Sequence, residues 1–366
     1  MGEARQAAPH STCEPEIMDL DVIPHARPQV SDAEIEAVVA ALRAGRLAQG
    51  EEVAALERDV SAAFDGAYVV AVSSGTAALA LSLRALELSH GAPVVIPSYT
   101  CNSLYAAVCA TDGEARCVDS GVHSACITRA TVAEAAGPAD AAIVPHTFGY
   151  LADVDGIKEL GRPVIEDCAH AFGGTYADGA RIGCKGDIAM VSFYATKMVP
   201  AGEGGLCITR RESWARRIRQ LRDCDGCELD RHAFNYKMSD IHAALARARL
   251  ERLGRDVDER QRLAQAYDQA FAARSHRVRS GASQAVCYRY LVSPDGDPDA
   301  FMDAALGAAI TCRRPVFRPL HESLGGRCPH TEKFHRSMIS VPLYPGLTEG
   351  EIDRILTVLP RLCAAR

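Results

Sequence analysis

Lysine is scarce in this sequence. Among its 366 residues only Lys158, Lys185, Lys197, Lys237 and Lys333 are lysines, so 35 of the 40 basic residues are arginines. With alanine abundant as well, the imbalance reads as the codon usage of a GC-rich genome, and it leaves any chemistry that needs an amine with five candidates. A clustered basic block is also missing. At a net charge of −7 the chain lacks the footprint that nucleic-acid phosphates require, so no nucleic-acid partner is expected. No stretch approaches the roughly 18 uninterrupted apolar residues of a membrane span, and MGEARQAAPHSTCEPE has no apolar core behind its charges. These absences predict a soluble, unexported, cytoplasmic protein with no membrane partner. The 14 cysteines are scattered through apolar segments, which suits a reducing compartment better than a disulfide scaffold. Cys224 and Cys227 form the one tightly spaced pair, but no second pair or His-x-x-x-His follows, and no metal site is expected.

At 48% hydrophobic and 24% charged residues the chain is too long for one core, and two domains are the default. Residues 1–16 carry no periodic pattern and read as a loose arm. From Ser31, an N-cap, SDAEIEAVVAALRAG repeats apolar residues at threes and fours and stops at Gly45; a second helix covers about residues 51–64. Short apolar runs then alternate with helical ones: AYVVAVS and TAALALSLRALEL, APVVIPS and NSLYAAVCA, ARCVDS, AAIVPH and a helix from Asp153 to Leu160, and PVIEDCAH. That alternation predicts βαβ units in a mainly parallel sheet, whose ligands sit beyond the carboxyl ends of the strands. Two more strand-like runs, DIAMVSFYATK and GGLCITR, precede a long helical stretch over about 238–275. A large α/β domain is expected over 17–250 and a smaller α+β domain over 251–366. The latter would contain the strand-like VCYRYLVS, a helix near 298–309 and a final helix after Pro345.

Three short segments could carry chemistry. Ser73-Ser74-Gly75-Thr76-Ala77 lies between a strand and a helix, where backbone N–H groups and a hydroxyl can meet a phosphate, although such a run is also an ordinary N-cap. Glu166-Asp167-Cys168-Ala169-His170 follows an apolar strand; its acid could grip a cationic ring nitrogen, ligate a metal or cap a helix. Lys197 closes Ser192-Phe193-Tyr194-Ala195-Thr196-Lys197 beside apolar and aromatic residues, a setting in which an amine can act as a nucleophile, though a single lysine is usually a surface charge. Taken together they match the three handles of pyridoxal phosphate: a phosphate, a pyridine nitrogen kept protonated, and an aldehyde held by an amine.

In order along nearly the whole chain, IPHARPQVSDAEIEAVVAALRAGRLAQG, SSGTAALAL, PSYTCNS, PHTFGYLADVDGI, VIEDCAHAFGG, GDIAMVSFYATK, GEGG, FNYKMSDIHAALARARLERL and SVPLYPGLTEGEI resemble the DegT/DnrJ/EryC1/StrS sugar aminotransferases. The resemblance implies the fold-type I architecture of pyridoxal phosphate enzymes, with a mainly parallel seven-stranded sheet flanked by helices and a smaller C-terminal α+β domain. It implies that Lys197 forms the Schiff base with the cofactor and moves protons, that Asp167 pairs with the pyridinium nitrogen, and that His170 lies near the phenolic oxygen. Gly75, Thr76 and Ser192 would hold the phosphate. Asn235 would reach the phosphate of a neighbouring subunit, so a homodimer with shared active sites is expected.

The same resemblance implies transfer of an amino group from glutamate or glutamine to a keto-sugar, nucleotide-linked in many relatives, with the cofactor cycling through pyridoxamine phosphate. A cyclitol ketone is an alternative acceptor, and a dehydratase or a non-catalytic regulatory relative are further alternatives. The dehydratases replace the Schiff-base lysine by histidine, whereas Lys197 is present here. Two departures concern the pocket. Where the family places an aromatic residue over the pyridine ring this chain has Cys101, with Tyr99 two residues earlier, so either can cover it. Where many members read His-Tyr-Pro, this one reads Cys312-Arg313-Arg314-Pro315, and guanidinium groups there suit a diphosphate or carboxylate. Tyr99, Arg313, Arg314 and His321 are the expected substrate contacts.

Overall fold

The computed structural model describes residues 22–135, 140–225, 229–271, 276–277 and 286–363; the arm expected over 1–16 and the cysteine at 227 lie outside them. In chain order the elements are α1 (Asp32–Arg43), α2 (Glu51–Ala63), β1 (Tyr68–Val72), α3 (Gly75–Ala85), β2 (Pro93–Pro97), α4 (Asn102–Cys109), β3 (Glu114–Val118), α5 (Arg129–Ala135), β4 (Ala141–Pro145), α6 (Val154–Lys158), β5 (Val164–Asp167), β6 (Ile188–Ser192) and β7 (Gly205–Thr209). They continue with α7 (Glu212–Arg222), α8 (Asp240–Leu250), α9 (Leu253–Phe271), β8 (His276–Arg277), β9 (Tyr290–Ser293), α10 (Pro298–Gly307), α11 (His321–Leu324), α12 (Pro329–Ser337), β10 (Ile339–Val341) and α13 (Glu349–Cys363).

Alternation along the strands builds two apolar layers. Val69, Ala71, Val95, Val144, Val164, Val191 and Leu206 point to one face of the sheet, where α2, α8 and the loops after β4 and β5 cover them. Their neighbours Val70, Val72, Val94, Ile143, Ile165 and Ile188 point to the other, under α3, α4 and α7. A strand buried on both faces reads as a continuous apolar run, which is why each is visible in the sequence. The seven strands lie in the order β1-β7-β6-β5-β4-β2-β3, and β7 alone runs against its neighbours β1 and β6. A second, antiparallel sheet, β10-β9-β8, packs with α9, α10 and α13 around Tyr267, Phe271, Tyr290, Phe301 and Ile355. The expected mainly parallel seven-stranded sheet with a smaller α+β part is therefore observed.

Helix boundaries follow local chemistry. Ser31 caps α1 in a reciprocal box: its hydroxyl accepts from Glu34 N–H and Glu34 accepts from Ser31 N–H at 2.7 Å. Gly45 ends that helix region at φ 71°. The long helix expected over 238–275 is instead two helices, α8 and α9. Around their junction Arg249 bonds the Gln29 carbonyl and pairs with Glu34 and Asp256, while Arg252 N–H closes a tight turn on the Arg249 carbonyl. A buried ion network anchored on α1 fixes this corner, and periodicity within the segment carries no sign of it. No helix among the described residues is long and apolar enough to cross a membrane.

Candidate active site

The parallel strands all end at one edge of the sheet, and the residues just beyond them converge there. Ser98 to Cys101 follow β2, His146 to Phe148 follow β4, Asp167 ends β5, Ser192 ends β6, and the turn before α3 follows β1. A cavity of about 800 Å³ opens at this edge. Tyr99, Cys101, Thr147, Phe148, Asp167, His170 and Lys197 line it from the sheet, while Arg289 and residues 315–320 close it from the C-terminal part of the chain.

Lys197 and His170 meet at 2.8 Å between Nζ and Nε2. The Phe148 N–H donates to Nδ1 of the same ring at 3.2 Å, so Nδ1 is the acceptor nitrogen of the neutral imidazole and Nε2 is the one that faces the lysine. Burial, together with the Lys197 and Arg289 cations, holds the imidazole well below its usual range, which keeps it neutral. Its ring is sandwiched between Tyr288 (4.3 Å between centroids) and Phe148 (6.0 Å).

Side-chain alternation separates the two acids at the end of β5. Glu166 points into the protein and accepts from the N–H groups of Gly183, Lys185 and Gly186 and from the Tyr176 hydroxyl, with His146 at 3.1 Å. Burial pushes its carboxyl upward, but His146 and these donors overcome that and hold it below the usual carboxylate range. Glu166, His146 and Cys168 lie close enough to share a metal, yet the carboxylate is already saturated by donors, so the arrangement reads as a structural clamp. Asp167 faces the cavity. Its one side-chain hydrogen bond among the described residues is from Ala169 N–H at 2.9 Å. Burial raises its carboxyl, more than that bond and the charges of Lys197 and His146 lower it. A buried carboxyl in this state is suited to a cationic partner such as a protonated ring nitrogen.

At the start of α3, Ser74 is the N-cap, its hydroxyl accepting from Ala77 N–H at 3.1 Å. Gly75 sits so close to Ser192 that a Cβ there would be 2.6 Å from the serine Cβ. The first turn of α3 and the end of β6 thus pack directly together at this edge, bringing a helix N-terminus beside the Ser192 hydroxyl, chemistry that fits a phosphate, although Gly75, Thr76 and Ser192 are not among the residues that line the cavity. Asn235 is exposed, and its side-chain oxygen accepts from Lys237 N–H at 3.4 Å. Tyr236 anchors this segment through a 2.7 Å bond from Ser73 N–H to its carbonyl.

A sequence profile of the DegT/DnrJ/EryC1/StrS aminotransferase family matches residues 28–360. The chain belongs to that family. The class implied by the resemblance, a pyridoxal phosphate-dependent aminotransferase, is thereby that of this chain. Among solved structures, this aminotransferase is similar to the aminotransferase TlmJ from Streptoalloteichus hindustanus, with 26% identity, TM-score 0.86, and 93% of this chain and 98% of that one covered. It is also similar to S. venezuelae DesV in complex with a ketimine intermediate, at 27% identity and TM-score 0.84 over 91% and 95% of the two chains. NtdA from Bacillus subtilis with bound cofactor PMP shares the fold, at 23% identity and TM-score 0.83 over 92% and 83%.

Not every expected residue reaches the cavity. Arg314 is held elsewhere by Asp299 at 2.8 Å and by the carbonyls of His335 and Arg336, and Arg313 is exposed on a bridge to Ser340. His321 is buried against Ser98, 2.6 Å from its hydroxyl, behind the cavity wall. Cys101 does line the cavity, as the N-cap of α4, whereas Tyr99, also in the lining, is fully buried beside Phe148 and Phe334. Three residues were not anticipated: Phe148, Tyr288 and Arg289. Phe148 adopts φ 60° and Gly149 φ 90°, and a Cβ on Gly149 would lie 2.8 Å from Tyr288 N. This paired left-handed turn lets residues 288–289 dock on the site, with Arg289 N–H donating to the Phe148 carbonyl at 3.2 Å. The signal was present as HTFG, but a glycine after an aromatic residue does not name its distant partner.

Proposed function

We propose that this aminotransferase moves an amino group from an amino acid, glutamate or glutamine, to a keto-sugar, with a nucleotide-linked sugar as the leading acceptor. The observation that carries the reading is the convergence of Lys197, His170 and Asp167 on one cavity at the sheet edge where Gly75 packs against Ser192. Lys197 would hold the cofactor covalently, Asp167 its ring nitrogen, and Gly75, Thr76 and Ser192 its phosphate. When bound, pyridoxal phosphate supplies an aldehyde carbon for the exchange of amines and a ring that takes up the electron pair left at the substrate carbon. Lys197 is the general acid/base, holding at Nζ the proton it takes from that carbon. His170 contacts the same nitrogen through Nε2 and positions it, and the rings of Tyr288 and Phe148 hold the imidazole in place. Asp167 stabilises positive charge on the ring, a preorganised electrostatic role.

The proposal includes a homodimer. Asn235 is exposed beside the exposed Phe234, as expected if it serves the partner subunit's phosphate site. A large domain over 17–250 and a small one over 251–366 agree with the separate apolar cluster around Phe271 and Tyr290. The free thiols of all described cysteines suit a cytoplasmic location.

Purified protein should be yellow, and borohydride should fix the cofactor mass on the peptide containing Lys197. Lys197→Ala should abolish turnover; retained transamination, or a colourless protein that takes up no pyridoxal phosphate, overturns the reading. Mixing inactive Asn235 and Lys197 variants should recover activity through hybrid sites, and no recovery despite subunit exchange would refute the shared site.

A further inference from the structure

The cavity carries an excess of positive charge that the three cofactor handles leave unused. Asp167 is the one carboxylate in its lining, against Lys197, Arg289 and Arg318. Arg318 is exposed and paired with Glu322 at 3.1 Å, so its charge is already balanced. Arg289 has no carboxylate partner among the described residues. Its guanidinium lies 5.7 Å from the ring centres of both Phe148 and Tyr288, and its one side-chain hydrogen bond among the described residues, to the Pro315 carbonyl, is long at 3.4 Å. Among the described residues, four of its five N–H donors remain for something else.

A second unspent donor belongs to the same lining. The Tyr99 hydroxyl is buried with no hydrogen-bond partner among the described residues, an arrangement that is costly unless a ligand completes it. Burial drives the phenol well above its ordinary range against the opposing charges of Arg314 and Arg289, so it stays protonated and can only gain by donating to an oxyanion. Phe148 links the two, its ring edge-on to Tyr99 at 5.8 Å and beneath the guanidinium. Lys197 Nζ lies 5.7 Å from the centre of the same Tyr288 ring that Arg289 borders, and both line the one cavity, so an amine at the lysine and an anion at the arginine share that space.

We propose that Arg289, assisted by the Tyr99 hydroxyl, is the carboxylate-recognition site of the amino donor, gripping one carboxylate of the incoming amino acid while its amine meets the Lys197 position. The inference rests on the proposed function and deepens it. A planar, rigidly stacked guanidinium favours a carboxylate gripped through two parallel bonds. Glutamate offers two such groups, at the α-carbon and at the side-chain end, and the site takes one of them.

Glutarate, a dicarboxylate with no amine, probes the site without reaction, by calorimetry on the protein both with and without pyridoxal phosphate. Arg289→Gln should weaken glutarate binding at least about tenfold, Arg289→Lys by less, and Tyr99→Phe by about threefold. Cofactor uptake and borohydride labelling of Lys197 should stay unchanged in all three. In the donor half-reaction followed by absorbance, KM for glutamate should rise with kcat within about twofold. Glutamine lacks the side-chain carboxylate and glutamate α-amide lacks the other; whichever compound is insensitive to Arg289→Gln identifies the carboxylate that the arginine holds. Glutarate affinity and glutamate KM both within twofold of wild type in Arg289→Gln would overturn the inference while leaving the proposed function intact. Failure of the wild-type protein to take up cofactor would overturn the proposed function, and glutarate binding to the unloaded protein would still decide the role of Arg289.

Discussion

Gly149→Ala tests the joint between the sheet edge and the C-terminal part of the chain. The position has φ 90°, and a Cβ there would lie 2.8 Å from Tyr288 N, 3.2 Å from Val286 Cγ2 and 3.3 Å from Tyr288 Cβ. Left-handed backbone costs an L-residue about 1–2 kcal/mol, and forcing a methyl group into packed backbone costs about 1–3 kcal/mol more. Backbone at residue 288 cannot swing aside as a flexible side chain would. The expected destabilisation is therefore about 2–5 kcal/mol, or ~3–7 °C in Tm for a chain of 366 residues. Because Tyr288 stacks on His170 and Arg289 faces the cavity, activity should fall further than stability: at 20 °C, where the variant is still folded, donor half-reaction rates should drop at least about tenfold. Differential scanning calorimetry and single-turnover absorbance give the two numbers independently. A variant that melts within 1–2 °C of wild type and reacts at the same rate would show that the turn does not hold residues 288–289 in place.

Three other perturbations follow from the same geometry. Gly75→Ala puts a methyl group 2.6 Å from the Ser192 Cβ, so pyridoxal phosphate affinity should fall about tenfold or more, read as cofactor lost on dialysis; undiminished retention would move the phosphate seat elsewhere. Glu166→Gln must turn an NH₂ toward backbone N–H groups in either orientation, since both carboxylate oxygens accept from them, and should cost about 3–5 kcal/mol in urea unfolding; a loss below 1 kcal/mol would contradict the clamp. His25, bonded to Ser340 Oγ at 2.9 Å, has its imidazole pushed down from 6.5 to about 3 by burial and by Arg289 and Arg313. A base depressed in the folded state contributes stability that is present above pH 6.5 and lost as pH falls toward 3, with a slope approaching ~1.4 kcal/mol per pH unit. His25→Gln should flatten that part of the stability profile, and an unchanged slope would exonerate His25.

Most strands of the large sheet were legible because they are buried on both faces, and the residues that follow Ile165 and Val191 were legible because ligands gather at carboxyl ends. Lys197 and Asp167 could be singled out for that reason. Tyr288 and Arg289 could not, since they precede β9 instead of following a strand, and the feature that admits them is an absent Cβ at Gly149. The arginines at 313 and 314 looked suitable by type and place, yet Asp299 and two carbonyls had already claimed Arg314. Guanidinium chemistry is visible in a sequence; whether a nearby acid neutralises it depends on contacts between separate elements. The corner between α8 and α9 escaped for the same reason, being set by Glu34 and Asp256 around Arg249.

The reversed strand β7 governs the order in which this enzyme can be assembled on the ribosome. It is the sole sheet neighbour of β1, and Gly205 lies so near the Ser74 and Val191 carbonyls that a Cβ would sit 2.7 Å from each. The strand that leads into the proposed phosphate seat therefore has no hydrogen-bonded home until residues 205–209 have left the exit tunnel, although it was synthesised long before them. Until then β1 is an open apolar edge in a nascent chain, and the amino-terminal helices waiting with it are held by α8, which emerges later still. Both the proposed cofactor seat and the strand that leads to it thus close late, so a chain truncated before β7 forfeits the two together.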